Sequence, residues 1–258
     1  MVTNSINETP SWVYGIHACQ SALEQHPDRV REILFLKGRQ DQRIQRLLEL
    51  AKTQGVRFRW LTRDEFDRLL NRNEMQDARH QGVLVQPLAA PELDAGDLEA
   101  LVAGLGRPAL LLVLDGVTDP HNIGACLRSC DAAGADAIIV PRDKSASLTP
   151  TVVNIASGAA DTVPFVVVTN LARTLDALKQ QGVWIYGTAG EATASVYQTD
   201  LTGSVAIVMG SEGAGLRRLT RDTCDALFKL PMAGQVSSLN VSVAAGVCLF
   251  EAVRQRLV

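Results

Sequence analysis

The chain has 258 residues, of which 47% are hydrophobic, and its formal net charge is -3. This length and apolar content are sufficient for two folded domains and exclude a mainly disordered chain. The N-terminus lacks a basic start followed by an apolar run, and the longest apolar runs are far shorter than a membrane span. We therefore expect a cytoplasmic protein without a membrane anchor.

The cysteines and histidines predict neither disulfides nor a metal site. The five cysteines are odd in number and contain no CxxC spacing, and the four histidines show no metal-ligand spacing. We therefore expect small buried thiols and no bound metal.

The charge is unevenly distributed along the chain. Residues 29–79 contain thirteen Lys or Arg and eight Asp or Glu, a balance of +5, whereas the other 207 residues contain twelve and twenty, a balance of -8. A basic segment ordinarily forms a solvated helix face. Here the aromatic Phe58 and Trp60 lie among Arg57 and Arg59, and this combination favours RNA binding.

Residues 12–86 follow the pattern of a small α/β domain, after an N-terminal tail of residues 1–11. A short strand or turn leads into a helix over WVYGIHACQSALEQ. Then EILFLKG is predicted as a strand, DQRIQRLLELAKTQG as an amphipathic helix, VRFRWLT as a strand, RDEFDRLLN as a helix and QGVLVQP as the closing segment. Residues 87–107 are rich in Ala, Pro, Gly and acidic residues, which predicts a linker with room for one short helix.

From residue 108 to residue 258, strands alternate with helices. The predicted strands are ALLLVLDGV, AIIVP, PFVVVT, WIYGTA, VAIVMG and ALFKLPM. The predicted helices are NIGACLRSCDAAGA, TPTVVNIASGAA, NLARTLDALKQQG, the segment after SEGAG, and LNVSVAAGVCLFEAVRQRL. This alternation predicts a parallel or mostly parallel sheet with helices on both faces. Ligands bind beyond the carboxyl ends of the strands in such sheets, so the junctions that follow the strands are candidate sites.

Polar residues follow the first of these strands in LDGVTDPHNIGACLR. Asn122 stands where a helix N-cap is expected, and both Asn122 and Gly124 can be read as helix-start residues. Arg128 comes six residues after Asn122, in a helix with few other charges. We expect this isolated cation to point toward the sheet edge or toward a partner.

A glycine loop follows a later strand in IVMGSEGAGLRR. The spacing of Gly210, Gly213 and Gly215 is neither the dinucleotide fingerprint nor a P-loop, so a nicotinamide dehydrogenase is disfavoured. Glu212 in this loop can accept hydrogen bonds from a ribose, an amino group or Arg128. The alternative is that Glu212 compensates the partial charge of a helix N-terminus.

The third junction, QVSSLNVS, precedes the last predicted helix. Ser237 or Ser238 is expected to cap this helix. Capping leaves Asn240 and Ser242 unexplained, because Val241 stands where a capping box requires Glu or Gln. Buried polar groups need hydrogen-bond partners, so these two side chains require partners within the protein or outside it.

Together the three motifs resemble the signatures of the SpoU (TrmH) family of ribose 2'-O-methyltransferases. The matches are N-x-G-x-x-x-R from Asn122 to Arg128, G-x-E-G-x-G from Gly210 to Gly215, and S-L-N-V-S from Ser238 to Ser242, in the family's order and spacing. The N-terminal segments YGIHACQSALE, ILFLKGRQDQR and HQGVLVQ are similar to the L30e-type RNA-binding domain of the family. The resemblance extends over nearly the whole chain.

The resemblance implies a fold and a cofactor. In this α/β chain, residues 108–258 would form a parallel-sheet SPOUT methyltransferase domain with a trefoil knot, and residues 12–86 a smaller L30e-like RNA-binding domain. The implied cofactor is S-adenosylmethionine, held largely by backbone groups, and the implied assembly is a homodimer with catalytic groups near its interface. The implied cofactor positions are Thr188, Ala189, Gly190, Gly210, Leu230, Met232 and Leu239.

The resemblance also implies a reaction. A ribose 2'-hydroxyl would take the methyl group of the cofactor, with Arg128 as the catalytic residue and with Asn122, Glu212, Ser238 and Asn240 orienting it and the ribose. The implied substrate is a guanosine in the peptidyl-transferase P-loop of 23S rRNA, either free or in a large-subunit assembly intermediate. Two alternatives stay open, namely a tRNA 2'-O-methyltransferase of the same family and a non-catalytic RNA-binding ribosome-assembly factor.

Overall fold

The computed structural model describes residues 12–25, 27–39, 41–73, 75–87 and 92–257. The predicted N-terminal tail of residues 1–11 lies outside the described residues. The chain divides into two compact units, one that ends at Ala90 and one that begins at Pro91. Among the described residues, no helix combines the length and hydropathy that a membrane crossing requires.

The first unit is a mixed four-stranded sheet with helices. Its strands are β1 (Val13–Tyr14), β2 (Val30–Leu36), β3 (Phe58–Leu61) and β4 (Val83–Pro87), and its helices are α1 (Ile16–Gln25), α2 (Gln42–Thr53) and α3 (Arg63–Arg72). The order in the sheet is β1-β4-β2-β3, in which β2 is parallel to β3, and β4 is antiparallel to both β1 and β2. The strands and helices predicted for this half of the chain are therefore confirmed.

Strand β2 is buried on both faces and organises the core of the first unit. Ile33 and Phe35 pack on one face with residues of α1 and α2. Leu34, on the other face, packs against Phe66 of α3. Alternate residues of a strand point to opposite faces, so the apolar run ILFL supplies both layers of this core.

The second unit is a seven-stranded sheet in which every paired strand is parallel to its neighbour. Its strands are β5 (Leu110–Asp115), β6 (Ala137–Pro141), β7 (Phe165–Val168), β8 (Trp184–Thr188), β9 (Ala194–Ser195), β10 (Val205–Gly210) and β11 (Ala226–Lys229), in the order β7-β6-β5-β10-β8-β11-β9. Its helices are α4 (Ala95–Gly104), α5 (Pro120–Ala133), α6 (Pro150–Ala156), α7 (Ala159–Thr162), α8 (Leu171–Gln180), α9 (Arg218–Thr223) and α10 (Val241–Arg256). The predicted parallel sheet is thus confirmed.

Strand β5 lies in the middle of this sheet and is buried along its whole length. Leu112 and Leu114 pack in a cluster with residues of α5 and α10, whereas Leu111 and Val113 pack in a cluster with residues of α4 and α8. Helices therefore cover both faces, as the continuous apolar run of this strand predicts.

The boundary between the two units lies within the predicted linker of residues 87–107. The later part of this segment contains α4, whose Leu98 is fully buried in the core of the second unit. Leu93 also pairs with Val166 of β7. The Ala-rich composition of the segment predicted room for a helix but did not reveal that the helix packs on the sheet, because Leu98 is its one fully buried apolar residue and Val102 is only partly buried.

The structure corrects two predicted helix starts. Helix α5 begins at Pro120 and is capped by Asp119, whose carboxylate accepts from the His121 amide at 2.9 Å, so Asn122 is not the N-cap. Proline is favoured at the first helical position because its fixed φ suits the helix and its missing N–H would have no partner there. Helix α10 is capped by Asn240 and not by Ser237 or Ser238.

A further difference concerns the helix predicted over TPTVVNIASGAA. It is interrupted after α6 by Ser157 and Gly158, which have φ values of 52° and 96°, and it resumes as α7.

The glycine near the start of α5 is required by helix packing. A Cβ on Gly124 would lie 2.7 Å from Cβ of Ile155 in α6, so this glycine permits the two helices to touch.

Candidate functional site

The three sequence motifs meet at one edge of the second sheet. Strands β5 and β10 are parallel neighbours, and their last residues, Asp115 and Gly210, pair with each other. The loop that leads to α5 and the glycine loop therefore leave the sheet side by side. The start of α10 joins them there, because Asn240 is bonded to both loops.

The Asn240 side chain holds this edge together. Its Nδ2 donates to Oδ1 of Asn122 at 2.8 Å and to Oε1 of Glu212 at 3.0 Å, and we call these three residues the Asn240 node. Its Oδ1 accepts from the amide and the hydroxyl of Ser242 at 3.0 and 2.6 Å. All donors and acceptors of this amide are therefore in use. The polar residues that the sequence left unexplained satisfy one another.

The node also fixes the direction of each amide. An ionised carboxylate can only accept, so Glu212 requires the NH₂ group of Asn240 to face it. The same NH₂ group requires Asn122 to present its carbonyl oxygen, which leaves the Nδ2 donor of Asn122 without a partner among the described residues. One oxygen of Glu212 is likewise unpaired within the described part of the chain.

The glycines of the second motif allow its loop to fold back tightly. A Cβ on Gly210 would lie 2.2 Å from the carbonyl carbon of Gly215. The amides of Ser211 and Gly215 donate to each other's carbonyl oxygens at 3.2 and 2.9 Å. Gly213 has φ 80°, a left-handed conformation that favours glycine. This turn presents Glu212 to Asn240.

An ion pair between a buried carboxylate and a partly exposed arginine anchors the far end of the glycine loop. Asp115 is fully buried, and its carboxylate accepts from the backbone amide of Arg217 at 2.8 Å and from the Arg217 guanidinium. A carboxylate at such a depth requires this compensation. The loop is thus tied to β5 at both ends, at Gly210 and at Arg217. The sequence reading missed this pair, although the aspartate that ends the apolar run LLLVLD is a visible signal.

Next to the node lies a cavity of about 430 Å³. All seven predicted cofactor positions line it, namely Thr188, Ala189, Gly190, Gly210, Leu230, Met232 and Leu239. Glu212 and Ser238 of the predicted catalytic set line it as well. Its walls combine apolar side chains with loop backbone and polar side chains, and small-molecule sites likewise join apolar surface to a few polar groups.

Charged residues that were not predicted from the sequence also line this cavity. Glu191 and Arg221 both line it and form an ion pair with each other. The hydrogen bond from Arg221 lowers the pKa of Glu191 below its ordinary value. Lys229 lines the cavity as well, so the site offers both signs of charge to a ligand.

Arg128 lies apart from the node and the cavity. Its side chain is exposed and borders a second depression, together with Ser129, Ser157 and Phe250. Six helical residues turn the side chain by roughly 240° from Asn122, which explains why the two point in different directions. The predicted contact between Glu212 and Arg128 is absent from the described residues, since Glu212 bonds to Asn240 instead.

The alternative interpretation of Glu212 is also wrong. Helix α9 begins at Arg218, six residues after Glu212, and its N-cap is Arg217. Charge compensation acts within the first turn of a helix. Glu212 therefore belongs to the Asn240 node and not to a helix terminus.

The thiols near the site are buried. Burial raises the pKa of Cys126 and that of Cys248 to about 12, so neither is a nucleophile near neutral pH. In the described ranges, no three His, Cys, Asp or Glu side chains group together in a way that could hold a metal ion.

Comparison with protein families gives two matches. A family model described as the SpoU rRNA methylase family matches residues 109–250. A second model, described as RNA 2'-O ribose methyltransferase substrate binding, matches residues 12–87. The two matches correspond to the two units of the structure and together span most of the chain.

Curated relatives resemble the chain over nearly its whole length. The 23S rRNA (guanosine-2'-O-)-methyltransferase RlmB of Vibrio vulnificus is 56% identical over 246 residues, which are 95% of this chain and 97% of the relative. The protein of the same name from Escherichia coli K12 is 52% identical over 244 residues, or 95% of this chain and 98% of the relative.

Solved structures share the fold. The SpoU methyltransferase AviRb from Streptomyces viridochromogenes, in complex with the cofactor AdoMet, aligns with a TM-score of 0.76 at 27% identity and covers 95% of this chain and 90% of its own. A tRNA-modifying TrmH/SpoU enzyme of A. aeolicus aligns with a TM-score of 0.53 at 28% identity and covers 63% of this chain and 82% of its own. The family that the motifs predicted is confirmed, and the chain belongs to the SpoU methyltransferase family.

Proposed function

We propose that this chain transfers a methyl group from S-adenosylmethionine to the ribose 2'-hydroxyl of a guanosine in 23S rRNA. The observation that carries this proposal is the Asn240 node, which joins all three family signatures beside a cavity lined by the seven expected cofactor positions. The full-length likeness to proteins named for this reaction supports the choice of substrate.

The cavity suits this cofactor. Leu230, Met232 and Leu239 offer apolar surface to an adenine ring, and the segment 188–190 offers backbone groups. The hydroxyl of Thr188 donates to the Val208 carbonyl at 3.0 Å, so this position serves a ligand through its backbone. When bound, S-adenosylmethionine supplies an electrophilic methyl group on a sulfonium.

The residues of the node act on the ribose. A 2'-hydroxyl is a poor nucleophile near neutral pH, so it must be positioned and must lose its proton. The free Nδ2 of Asn122, the free oxygen of Glu212 and the hydroxyl of Ser238 are hydrogen-bonding groups without partners among the described residues. These groups hold the ribose hydroxyls at the mouth of the cavity.

Arg128 acts as a cation and not as a base. A guanidinium has a pKa above about 12 and remains charged at neutral pH. Its planar fork matches a phosphate with two parallel hydrogen bonds. We therefore assign Arg128 to the RNA phosphate and to the negative charge that develops on the 2'-oxygen.

A homodimer would complete the site. Val243 and Phe250 of α10 are 52% and 50% exposed, and Leu257 continues the same stripe at a spacing of seven residues. Phe250 borders the depression that contains Arg128. A second copy packed on this stripe would cover exposed apolar surface and would bring Arg128 of one protomer toward the cavity of its partner.

The first unit would select the RNA. The substrate-binding family model matches it, and its segment 29–79 carries the basic excess of the chain. We expect the target guanosine to lie in the peptidyl-transferase P-loop, in free rRNA or in a large-subunit assembly intermediate, and the site of action to be the cytoplasm. The intact node argues against a non-catalytic assembly factor.

The trefoil knot stays a prediction of the family resemblance. It is supported by the path of α10, which follows β11 in the chain and returns to pack in one cluster with α5 and β10.

A methyl-transfer assay tests the proposed function. The purified protein is incubated with labelled S-adenosylmethionine and, separately, with unmodified 23S rRNA and with tRNA, and ribose methylation is mapped. We expect label at one guanosine of 23S rRNA. Transfer to tRNA instead would favour a tRNA 2'-O-methyltransferase of the same family. Absence of transfer to either RNA would contradict both enzyme assignments and favour a non-catalytic RNA-binding assembly factor.

The Arg128→Lys substitution tests the role of the guanidinium. Lysine keeps the positive charge but loses the planar fork, so we expect kcat to fall about 100-fold, the cost of misplacing a reacting group. The cofactor Kd should stay unchanged. Turnover near that of the unsubstituted protein would contradict bidentate positioning.

The Arg217→Met substitution tests the anchor of the glycine loop. Loss of the cation releases the loop, so we expect the cofactor Kd in calorimetry to rise about tenfold, or roughly 1.4 kcal/mol. Arg218→Met is the matched control, because Arg218 is 95% exposed and pairs only at the surface with Asp222. Arg217→Lys provides a folded variant if Arg217→Met unfolds. An unchanged Kd in a folded Arg217 variant would contradict the anchoring role.

The Phe250→Asp substitution tests the homodimer. A charge in the middle of the apolar stripe costs desolvation energy, so sedimentation should show monomers where the unsubstituted protein is dimeric. Tyr197→Asp is the control, since Tyr197 is similarly exposed at 56% but lies outside α10. Equal effects of the two substitutions would argue against this interface.

A further inference from the structure

One edge of the first sheet gathers four loops. Strands β1, β2 and β3 run in one direction and β4 runs in the other. The residues that follow the first three strands and those that precede β4 therefore share an edge. The backbone confirms this, because Leu36 donates to the Gly82 carbonyl at 2.9 Å and Lys37 donates to the Leu61 carbonyl at 2.8 Å.

The loops at this edge are held in place by specific contacts. The Ile16 amide donates to Oε1 of Gln81 at 3.0 Å, and the Gly82 amide donates to Nδ1 of His80 at 3.0 Å. Gln81 itself has φ 50°, and a Cβ on Gly82 would lie 2.9 Å from Cδ of Arg39. The edge is thus a pre-formed surface, and such a surface loses little entropy on binding.

Positive charges are concentrated at this edge. Lys37, Arg39, Arg63 and Arg79 are its cations, and Tyr14, which is 37% exposed, lies at the end of β1. We call these five residues the basic edge. Within the described ranges Lys37 and Arg79 form no ion pair, although the charge of Lys37 contributes to lowering the pKa of Glu65. The ion pairs of Arg39 and Arg63 in these ranges are with exposed Asp41 and Asp67, and such exposed pairs contribute little energy.

The pKa of His80 reflects the same concentration of positive charge. Burial lowers this pKa most, and the nearby positive charges of Arg63 and Arg39 lower it further, whereas the charge of Asp67 acts in the opposite direction. The ring is therefore neutral at pH 7. Because its Nδ1 accepts from Gly82, its Nε2 carries the proton and is a hydrogen-bond donor beside the two arginines.

Arg59 and the two aromatic residues of the basic segment make contacts away from this edge. Arg59 forms a two-pronged pair with Glu32 at 2.8 and 2.9 Å. Trp60 packs on Phe35 with ring centroids 5.1 Å apart, so it is a core residue and not the RNA-facing aromatic that the sequence suggested. Phe58 lies under Lys52 at 5.9 Å, at the opposite end of β3.

We infer that the basic edge is the surface that binds the RNA substrate. Its four cations, Lys37, Arg39, Arg63 and Arg79, would contact phosphates, and Tyr14 would stack on an unpaired base. This inference rests on the proposed function, since it assigns the substrate contacts of the same enzyme. Sequence-selective RNA recognition targets loops whose bases can stack on aromatic rings, and cations supply the affinity. The basic edge provides both groups on one rigid surface.

The test compares two double variants with the same loss of charge. Lys37→Gln with Arg79→Gln removes two cations from the basic edge, and Arg43→Gln with Arg46→Gln removes two exposed cations from α2. Binding to a 23S rRNA fragment that contains the peptidyl-transferase loop is measured by fluorescence anisotropy at several salt concentrations. For the edge variant, we expect a Kd increase of about 10- to 100-fold and a salt slope that is smaller by about two. The α2 variant should change the Kd less than about threefold, because its cations touch no phosphate.

Single substitutions of Tyr14 test the stacking contact. Tyr14→Ala should weaken binding of the same fragment about tenfold, whereas Tyr14→Phe should retain it, because the ring and not the hydroxyl is required. Circular dichroism establishes that each variant is folded. Equal effects of the edge and α2 variants, or an unchanged Kd in the edge variant, would overturn the inference. Since binding is measured without turnover, loss of methyl transfer alone would count against the proposed function and leave this inference standing.

Discussion

The candidate site of the second unit is held together by one side-chain amide. Asn240 begins the last helix, and its NH₂ group reaches Asn122, 118 positions earlier, and Glu212, 28 positions earlier. The amide lies at the surface, where it uses both NH₂ hydrogens for bonds within the chain, so it links the start of the last helix to both loops. The same side chain caps α10 through its Oδ1 and bonds through its Nδ2 to the two residues that, in our proposal, orient the ribose. One residue therefore serves both the helix start and the proposed site.

Both units use their sheets in the same physical way. In each, loops that carry polar side chains emerge together where strands end, and tight backbone contacts hold them in position. In the second unit, Asp115 and Arg217 anchor the loop that carries Glu212. In the first unit, Gln81 ties the turn before β4 to the start of α1. In our proposal, the loops of the second unit contact the cofactor and the ribose and those of the first unit contact the RNA, so that chemistry and substrate selection reside in different units.

The sequence predicted the elements well and the site in part. An apolar run such as LLLVL predicts a buried strand, because a strand that is covered on both faces carries apolar side chains at successive positions. The choice of N-cap was wrong at both key helices, since Asp119, Asn122, Ser238 and Asn240 are all capable caps and tertiary partners decide among them. The aspartate that ends LLLVLD indicates that a partner is needed, but the 102-residue separation of Asp115 and Arg217 leaves nothing local that identifies Arg217 as that partner. The short motifs identified the family because they contain the candidate site residues themselves, in the family's order and spacing.

The Asn240→Asp substitution tests the central role of this amide most directly. Aspartate has the same shape but cannot donate, and it places a negative charge beside Glu212. Single-turnover methyl transfer is measured at saturating cofactor and 23S rRNA, with Ser242→Ala as the control because the side chain of Ser242 bonds to Oδ1 of Asn240 and not to the Nδ2 that reaches Asn122 and Glu212. We expect a rate loss of about 100-fold or more for Asn240→Asp and less than about threefold for Ser242→Ala. A near-normal rate in a folded Asn240→Asp protein would contradict that role.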